Sequence, residues 1–492
     1  MRPLLLLGIA CFPAACADIP APAEFREARQ FLEQSIAQGL SPGVSIAVIR
    51  NGAVVWSEGL GYADLEAKRR ATADSIYSMA SVSKPFTGTA LMTQVEKGAI
   101  DLDRPANDYL PGTKLRNYAG DAREITVRRL ANHTAGFPTH FNFFHDGTQP
   151  PTWDETLRRY GFAFVKPGTR QEYSNLAFGI LAYITELVSK TPRREYLERT
   201  VFDPLGMSRT SDRVRPGREA DAAVQYMMEA GGRFLRTKPY AFDHPGASVY
   251  WSSANDLALF VRMHLNHDAL GKVRILRPES ALAMRTPVGT ATPAEGFNEG
   301  SLANSRFGIG WAVEKFLGHE CFYHSGGMPG VANMVRVFPE NNSAVIVLTN
   351  TDDRTVARDA AIRVARVLVN EPTAVAAAAP ATERTMPAGM AGVWSGKLEH
   401  FDGAVGMRLT ILADGKVEVR FGNRPPQWMM EPVFGQTNLT GWVDALLRTR
   451  EDYHGVAPLR FRLWRDGDKV SGFAMSNVTG YFGLPSYVEL TR

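Results

Sequence analysis

The chain has 492 residues, of which 45% are hydrophobic and 22% are charged, and its formal net charge is +4. This length favours two or three globular domains. The small positive excess forms no basic runs, which excludes the charge footprint of a nucleic-acid-binding protein, and no interior stretch is apolar for long enough to span a bilayer.

The amino-terminal residues have the pattern of an export signal. Arg2 precedes an apolar run at residues 4–12, and Ala15-Cys16-Ala17 forms a small-residue cleavage site. We therefore expect residues 1–17 to be a signal peptide and the protein to be periplasmic or secreted. The alternative is a lipoprotein attached to a membrane through Cys16, although Pro13 stands where such a site normally has leucine.

Cysteine usage agrees with export. Cys11 and Cys16 leave with the expected signal peptide, so Cys321 is the only cysteine of the expected mature chain. A single thiol cannot close an intrachain disulfide, and the fold is expected to rest on packing. We interpret Cys321 as a small buried strand residue rather than a reactive thiol.

Predicted elements of residues 22–370 place strands at both ends of this region. Helices are predicted at residues 22–40, 81–98, 176–184, 253–265 and 352–369, and strands at 44–50, 53–57, 307–313, 321–325, 331–338 and 344–349. Asn51-Gly52, between the first two strands, is a strong hairpin signal. Residues 99–250 show helices and long loops with little strand pattern. The expected fold class is α/β (α+β), with a mixed antiparallel sheet built from both ends, flanked by helices and carrying a helical insert.

The remaining residues change character twice. Residues 371–390 are rich in alanine and proline, which predicts a linker. Residues 391–492 contain short alternating runs separated by Asp-Gly turns, for example at 407–412, 416–421, 459–464 and 469–474. About eight strands at this spacing predict an all-β antiparallel barrel or sandwich.

Ser81-Val82-Ser83-Lys84 opens the helix that is predicted to end at Gly98. Lys84 lies one turn after Ser81 on the same helix face, within reach of its hydroxyl. A serine alcohol becomes a good nucleophile when a neighbour takes its proton, and an amine shifted towards neutrality can do so. The same spacing also occurs on ordinary solvated helix faces, so other motifs must decide between the two interpretations.

Two further motifs follow. Tyr173-Ser174-Asn175 lies in a polar turn before an apolar helix, where a helix-capping role is the alternative. His324-Ser325-Gly326-Gly327 lies on a predicted strand, where a satisfied structural histidine is the alternative. The same His-x-Gly pattern begins at His145 and His244, but His145 lies in an aromatic-rich loop and Pro245 cannot join a strand ladder.

In this order and on these elements, the three motifs resemble the serine β-lactamase and penicillin-binding-protein superfamily, specifically its class C β-lactamase-like branch. That branch includes D-alanyl-D-alanine carboxypeptidases, D-aminopeptidases and esterases. The resemblance covers about residues 25–370 and includes Gly61-Tyr62-Ala63-Asp64, His133-Thr134-Ala135-Gly136 and Ser252-Ser253-Ala254-Asn255-Asp256. Residues 391–492 resemble, more weakly, the lipocalin-like domain that some of these enzymes carry. The resemblance therefore implies a catalytic domain at 22–370 followed by a barrel.

The resemblance implies a role for each motif residue. Ser81 would be the acylated nucleophile and Lys84 its proton partner, with Tyr173 as a second general base. Asn175 would hydrogen-bond the Lys84 amine and the substrate amide. Lys84 and a protonated His324 would lower the pKa of the Tyr173 phenol far enough for it to act as a base.

The strand motif would bind the reacting carbonyl and its neighbours. The backbone N–H groups of Ser81 and Gly327 would form the oxyanion hole. Gly326 and Gly327, after Ser325, would let a substrate backbone lie close to the strand. True β-lactamases usually carry Lys-Thr-Gly here, and a histidine is only partly charged near neutrality, so peptidase or esterase chemistry is favoured over antibiotic hydrolysis. Arg336 on the next strand is interpreted as an exposed strand residue rather than a substitute cation.

The histidines at positions 133, 140 and 145, with Asp146, match no metal-ligand spacing, and the superfamily chemistry needs no ion. We therefore predict neither a metal nor a cofactor. The predicted function is a serine hydrolase that acts through a Ser81 acyl-enzyme on amide or ester bonds, in D-amino-acid peptides, peptidoglycan-type peptides, carboxylic esters or β-lactams. Its partner would be a small-molecule or peptide substrate, with no nucleic acid.

Two other interpretations stay open at this point. The chain could be a non-hydrolytic penicillin-binding or sensor module whose C-terminal barrel binds a ligand or partner. In the second, the barrel covers or shapes the active site. The oligomeric state is open, and substrate specificity is expected from loops within residues 99–250 and 285–306.

Overall fold

The computed structural model describes residues 18–229, 232–265, 269–289, 305–371, 386–435, 437–445, 457–478 and 482–492. The expected signal peptide lies outside these residues, and so does most of the expected linker. Within them, no helix is both long enough and apolar enough to cross a bilayer.

The first sheet joins the two ends of residues 22–370, here called the N-terminal region. Its antiparallel strands lie in the spatial order Arg306–Phe307, Ala312–Phe316, His319–Met328, Val331–Phe338, Ser343–Thr349, Gly43–Arg50, Ala53–Asp64 and Arg69–Arg70. Ser343–Thr349 pairs directly with Gly43–Arg50, so strands from the start and the end of the region are neighbours. The predicted α/β fold class is confirmed.

The hairpin predicted at Asn51-Gly52 is also present. Gly43–Arg50 and Ala53–Asp64 pair on either side of it. Asn51 has φ 50° and Gly52 has φ 75°, which is the left-handed backbone that a two-residue Asn-Gly turn requires. The strand predicted at 307–313 is wrong, because a turn closed by the Gly308 N–H and the Trp311 carbonyl divides it.

Helices cover both faces of this sheet. The α-helices are Arg26–Ala37, Lys84–Glu96, Val127–Ala131, Trp153–Tyr160, Asn175–Ser189, Arg193–Leu197, Ala254–Leu265, Pro278–Met284 and Arg354–Leu368. Val345 and Val347 contribute to a core on one face, with Arg26–Ala37 and Arg354–Leu368. Ile346 and Leu348 contribute to the larger core on the other face. The strand therefore alternates its apolar side chains between two helical layers.

The C-terminal residues form a second antiparallel sheet that is nearly closed on itself. Its strands lie in the order Gln427–Trp428, Val417–Phe421, Gly403–Ile411, Gly392–His400, Phe482–Thr491, Lys469–Val478, Ala457–Asp466, Asn438–Ala445 and Met430–Phe434. Trp394, Leu409 and Phe461 lie in its apolar interior. The predicted all-β barrel is confirmed, and it is called the barrel below; its likeness to lipocalins stays a prediction.

One strand of the N-terminal region extends the barrel sheet. The first two residues of Phe141–His145 pair with the barrel strand Phe482–Thr491, and the last three pair with Tyr240–Phe242. Phe162 and Phe164 pack nearby against Phe473, Met475 and Tyr487 of the barrel. The two parts of the chain therefore share both a sheet and an apolar cluster.

Candidate active site

Ser81 lies on a tight turn between a short strand and a long helix. Ala80–Ser83 forms a 3-10 turn, here called the Ser81 turn, and the α-helix Lys84–Glu96 begins after it. The predicted helix start at Ser81 is therefore displaced to Lys84. Ala80 has φ 47°, which is rare for a residue with a side chain and is sustained by surrounding packing. Its methyl group belongs to an apolar cluster with Phe143, Met328 and Val331.

Lys84 connects the Ser81 turn to Asn175. Its amine lies 3.0 Å from Ser81 Oγ, 2.9 Å from Asn175 Oδ1 and 3.3 Å from the Ala247 carbonyl. The side chain is fully buried, and this burial lowers the pKa of the Lys84 amine well below its usual value. A neutral amine can donate to Asn175 and Ala247 and accept a proton from Ser81, as a general base requires.

Tyr173 lies beside the same amine, because the Lys84 amine is 4.6 Å from the centre of the Tyr173 ring. Burial raises the pKa of the Tyr173 phenol, while hydrogen bonding to Ser81 and the positive charge of Arg354 act in the opposite direction. The expected lowering of this pKa is therefore wrong. At neutral pH Tyr173 keeps its proton and is a hydrogen-bond donor.

His324 is fully buried and neutral. Burial lowers the pKa of His324 to about 3, helped by the charge that Lys84 carries when it is protonated, so the expected protonated imidazole is wrong. Nδ1 lies 2.7 Å from the Ser325 carbonyl and donates to it, which leaves Nε2 as an acceptor. The His324 and Tyr173 ring centres are 6.3 Å apart.

His133 belongs to this site, although its sequence motif predicted no role for it. Its ring centre lies 4.5 Å from that of Tyr173, and its Nδ1 accepts a hydrogen bond of 3.2 Å from the Ser174 N–H. Asn175 is held as well, since its Nδ2 donates to the His140 carbonyl at 2.8 Å. Residues 173–175, here called the Tyr173 turn, are thus fixed from two sides. Ser174, rather than Asn175, caps the following helix.

The strand His319–Met328 presents an open edge beside the Ser81 turn. Its pairing with Ala312–Phe316 ends at Tyr323, and no strand of the described ranges pairs with residues 324–328 on that side. An open strand edge offers backbone hydrogen bonds to an extended substrate. A Cβ at Gly326 would lie 2.5 Å from the Met79 carbonyl oxygen. Glycine at 326 therefore leaves room for the Met79 carbonyl, just before the Ser81 turn, rather than for the substrate backbone that was expected there.

Two arginines near this strand differ from expectation. Arg336 is buried and pairs with Glu314, so its interpretation as an exposed residue is wrong. Arg354, the first residue of its helix, is exposed and lies against Gly327: a Cβ at Gly327 would be 2.7 Å from the guanidinium Nε and Nη2. Arg354 makes no side-chain hydrogen bond or ion pair with another residue of the described ranges. Its position after a loop carried no signal in the sequence.

A buried carboxylate cluster lies behind the Tyr173 turn. His140 Nε2 is 3.0 Å from both Asp243 oxygens, and His244 Nδ1 is 2.8 Å from Asp243 Oδ1. These hydrogen bonds satisfy the carboxylate. One nitrogen or oxygen atom from each of these three residues lies within 4.8 Å of the others, which is compact enough for a metal ion. Sequence spacing does not reveal this group, because His140 is far in sequence from Asp243 and His244.

A serine hydroxyl in contact with a buried lysine, beside an open strand edge, defines a serine-hydrolase-type site. A family model described as Beta-lactamase matches residues 28–369. The chain belongs to the Beta-lactamase family, and the resemblance to the β-lactamase and penicillin-binding-protein superfamily is confirmed.

Known relatives agree with this assignment. Protein flp of Staphylococcus aureus strain N315 is 26% identical over 339 residues, which cover 66% of this chain and 63% of that protein, less than two thirds of its length. The solved octameric penicillin-binding protein homologue from Pyrococcus abyssi has a TM-score of 0.60 and 22% identity, covering 94% of this chain and 99% of that chain. EstCE1, described as a hydrolase with promiscuous acyltransferase activity, has a TM-score of 0.58 and 24% identity, covering 70% and 98%. These two structures share the fold.

Proposed function

We propose that the protein is a serine hydrolase that forms an acyl-enzyme at Ser81 and then releases it to water. The contact of 3.0 Å between the Lys84 amine and Ser81 Oγ carries this proposal, together with the burial that favours the neutral amine. Lys84 takes the Ser81 proton as the hydroxyl attacks a carbonyl carbon. The backbone N–H groups of Ser81 and Gly327 stabilise the negative oxygen that forms.

Tyr173 acts with its proton in place. Burial raises the pKa of its phenol, so it carries a proton that it passes to the leaving group, and Lys84 then replaces that proton. Asn175 orients the Lys84 amine through Oδ1. In the second half of the reaction, water takes the place of the leaving group and the same groups work in reverse.

The substrates that we propose are small peptides with D-amino acids, peptidoglycan-type peptides, carboxylic esters and β-lactams. The Pyrococcus abyssi relative is described as a penicillin-binding protein homologue and EstCE1 as a hydrolase, which supports carbonyl substrates of both kinds. A neutral His324 in place of a fixed cation favours the esters and peptides. The pattern of residues 1–17 supports export to the periplasm or beyond, where such peptides occur.

Intact-protein mass spectrometry tests the proposal. The protein is incubated with a penicillin and, separately, with a p-nitrophenyl acyl ester, and its mass and the released p-nitrophenol are measured. We expect a covalent adduct or turnover in the wild type and in Ser395→Ala, an exposed barrel serine used as the matched control. Both signals are expected to disappear in Ser81→Ala. A folded wild type with neither adduct nor turnover contradicts the proposal and favours a non-hydrolytic sensor whose barrel binds a ligand.

A further inference from the structure

The barrel reaches the Tyr173 turn through a buried ion pair. Arg462, on the barrel strand Ala457–Asp466, donates a hydrogen bond of 2.8 Å to Glu172 Oε2. The two side chains are only 3% and 4% exposed, so solvent screens this pair weakly. Glu172 directly precedes Tyr173, and its N–H donates to the His133 carbonyl at 2.7 Å. Arg462 of the barrel therefore contacts the residue that directly precedes Tyr173, the proposed proton donor.

Glu172 depends on cations for its charge. Burial raises the pKa of the Glu172 carboxyl, while the charges of Arg462 and Arg170 act against that rise. The Arg170 guanidinium is itself held by the barrel, at 3.7 Å from the centre of the Trp464 ring. A buried carboxylate that loses its cation is strongly destabilised. Without Arg462, the segment before Tyr173 would have to move or take up a proton.

A second barrel contact supports Asn175, at the other end of the Tyr173 turn. Phe482 and Gly483 of the barrel pair with Asn142 and Phe141. The residue before this pairing is His140, whose carbonyl accepts the hydrogen bond from Asn175 Nδ2 at 2.8 Å. The barrel therefore supports Tyr173 through Glu172 and Asn175 through His140.

We propose that the barrel is a positioning element of the active site and that Arg462 is its main positioning residue. The Arg462–Glu172 pair holds the Tyr173 turn where Tyr173 and Asn175 can work with Lys84 at Ser81. This inference rests on the acyl-enzyme function proposed above. It assigns the barrel a role within the reaction of its own chain, instead of the role of a separate ligand-binding module.

The test uses the full-length chain and removes the ion pair in steps. Arg462→Met deletes the cation at similar length, Arg462→Lys keeps a cation, and Glu172→Gln with Arg462→Met removes both buried charges. Arg460→Met is the matched control, because Arg460 is an exposed arginine on the same strand. For each variant, kcat and KM are measured on a p-nitrophenyl ester, and the rate of the penicillin adduct and the melting temperature are recorded.

Arg462→Met is expected to lower kcat and the adduct rate by about 10- to 100-fold with a smaller change in KM, because misplaced proton-transfer groups slow the chemical step. Arg462→Lys is expected to recover most of this loss because it keeps a cation beside Glu172. The double variant is expected to stay near Arg462→Met in kcat because it also lacks the pair, and Arg460→Met to behave as the wild type. If Arg462→Met does not fold, the other two variants decide. A lowered kcat in the folded double variant with a higher kcat in Arg462→Lys supports the pair's positioning role, and wild-type kcat in the double variant contradicts it.

Equal kcat in folded Arg462→Met and wild type also overturns the inference. That result differs from a failure of the proposed function, since a wild type without adduct or turnover shows the latter before any variant is compared. A loss of stability in Arg462→Met with unchanged kcat would show a structural role only and would likewise overturn the inference.

Discussion

Lys84 is the residue at which structure and reactivity conflict most directly. The folded protein buries an amine that water would hold protonated, and burial lowers the pKa of Lys84 from its usual 10.5. Below pH 10.5 the unfolded chain therefore binds more protons than the folded one, and stability falls as the pH decreases towards the lowered pKa. The same neutral amine makes Ser81 reactive. Stability and activity should thus change in opposite directions at this residue.

Replacement of Lys84 by methionine tests this relation. Lys84→Met removes the cost of burying the amine, and we expect the free energy of unfolding at pH 7 to rise by about 1 kcal/mol. The rate of acyl-enzyme formation is expected to fall by about 10³-fold because the general base is lost. Denaturant unfolding and adduct mass spectrometry measure the two effects, with the exposed Lys97→Met as control. A variant that is less stable, or that still reacts at the wild-type rate, contradicts this account.

Arg354 is the exposed cation beside the open strand edge. A guanidinium is charged at all working pH values and matches the geometry of a carboxylate. We expect Arg354→Gln to lower kcat/KM by about tenfold for an ester whose leaving group is 3-hydroxybenzoate, because the carboxylate loses its partner. The phenyl ester of the same acid lacks that charge and should react nearly as before. Arg358→Gln, one turn further along the helix, is the control. Equal losses on both esters would show that Arg354 has no selective role.

At the scale of elements, the fold was predictable where the pattern is local. Asn51-Gly52 needs only its own backbone to specify a hairpin, and Val331–Phe338 is bounded by turn residues on both sides. The Ser81 turn was not, because its 3-10 geometry and the positive φ of Ala80 depend on packing against distant residues. Phe141–His145 was missed as a strand because both of its partners, Tyr240–Phe242 and a barrel strand, are far from it in sequence.

For the candidate site, the sequence predicted which residues take part but not their protonation states. Ser81, Lys84, Tyr173, Asn175 and His324 were named from motifs, and the structure brings their side chains together. The protonation states of Tyr173 and His324 were not predictable, because both depend on burial, which a motif does not encode.

The contact between the Ser81 turn and the strand His319–Met328 is close enough to be tested with one methyl group. A Cβ at Gly326 would lie 2.5 Å from the Met79 carbonyl oxygen, so Gly326→Ala must push the turn away from the strand. We expect acyl-enzyme formation to fall by about 100-fold, since a shift of about 1 Å is enough for such a loss. Gly406→Ala is the control, because a Cβ there meets nothing within 4 Å. Unchanged acylation in Gly326→Ala would show that the site adapts to the added methyl.

Across the whole molecule, the barrel and the N-terminal region share polar, apolar and backbone contacts. The ring centres of Tyr118 and Tyr487 are 4.2 Å apart in a stacked arrangement. The Arg462–Glu172 ion pair also joins the barrel to the N-terminal region. If only one of the two parts unfolded, the other would expose an unpaired buried charge and aromatic rings, which would raise its free energy. The two parts should therefore lose their structure together.

Thermal unfolding followed by two probes tests this coupling. Far-ultraviolet circular dichroism and tryptophan fluorescence are expected to report one coincident transition in the wild type. Gly483→Ala should weaken the contact between the two parts, because a Cβ at Gly483 would lie 2.3 Å from the Phe141 ring and would displace that ring where the two strands pair. We expect two transitions in this variant, whereas Gly406→Ala, in an open part of the barrel, should keep one. Two transitions already present in the wild type would mean that the shared sheet does not couple the barrel to the N-terminal region, and the positioning role of the barrel would then have to rest on Arg462 alone.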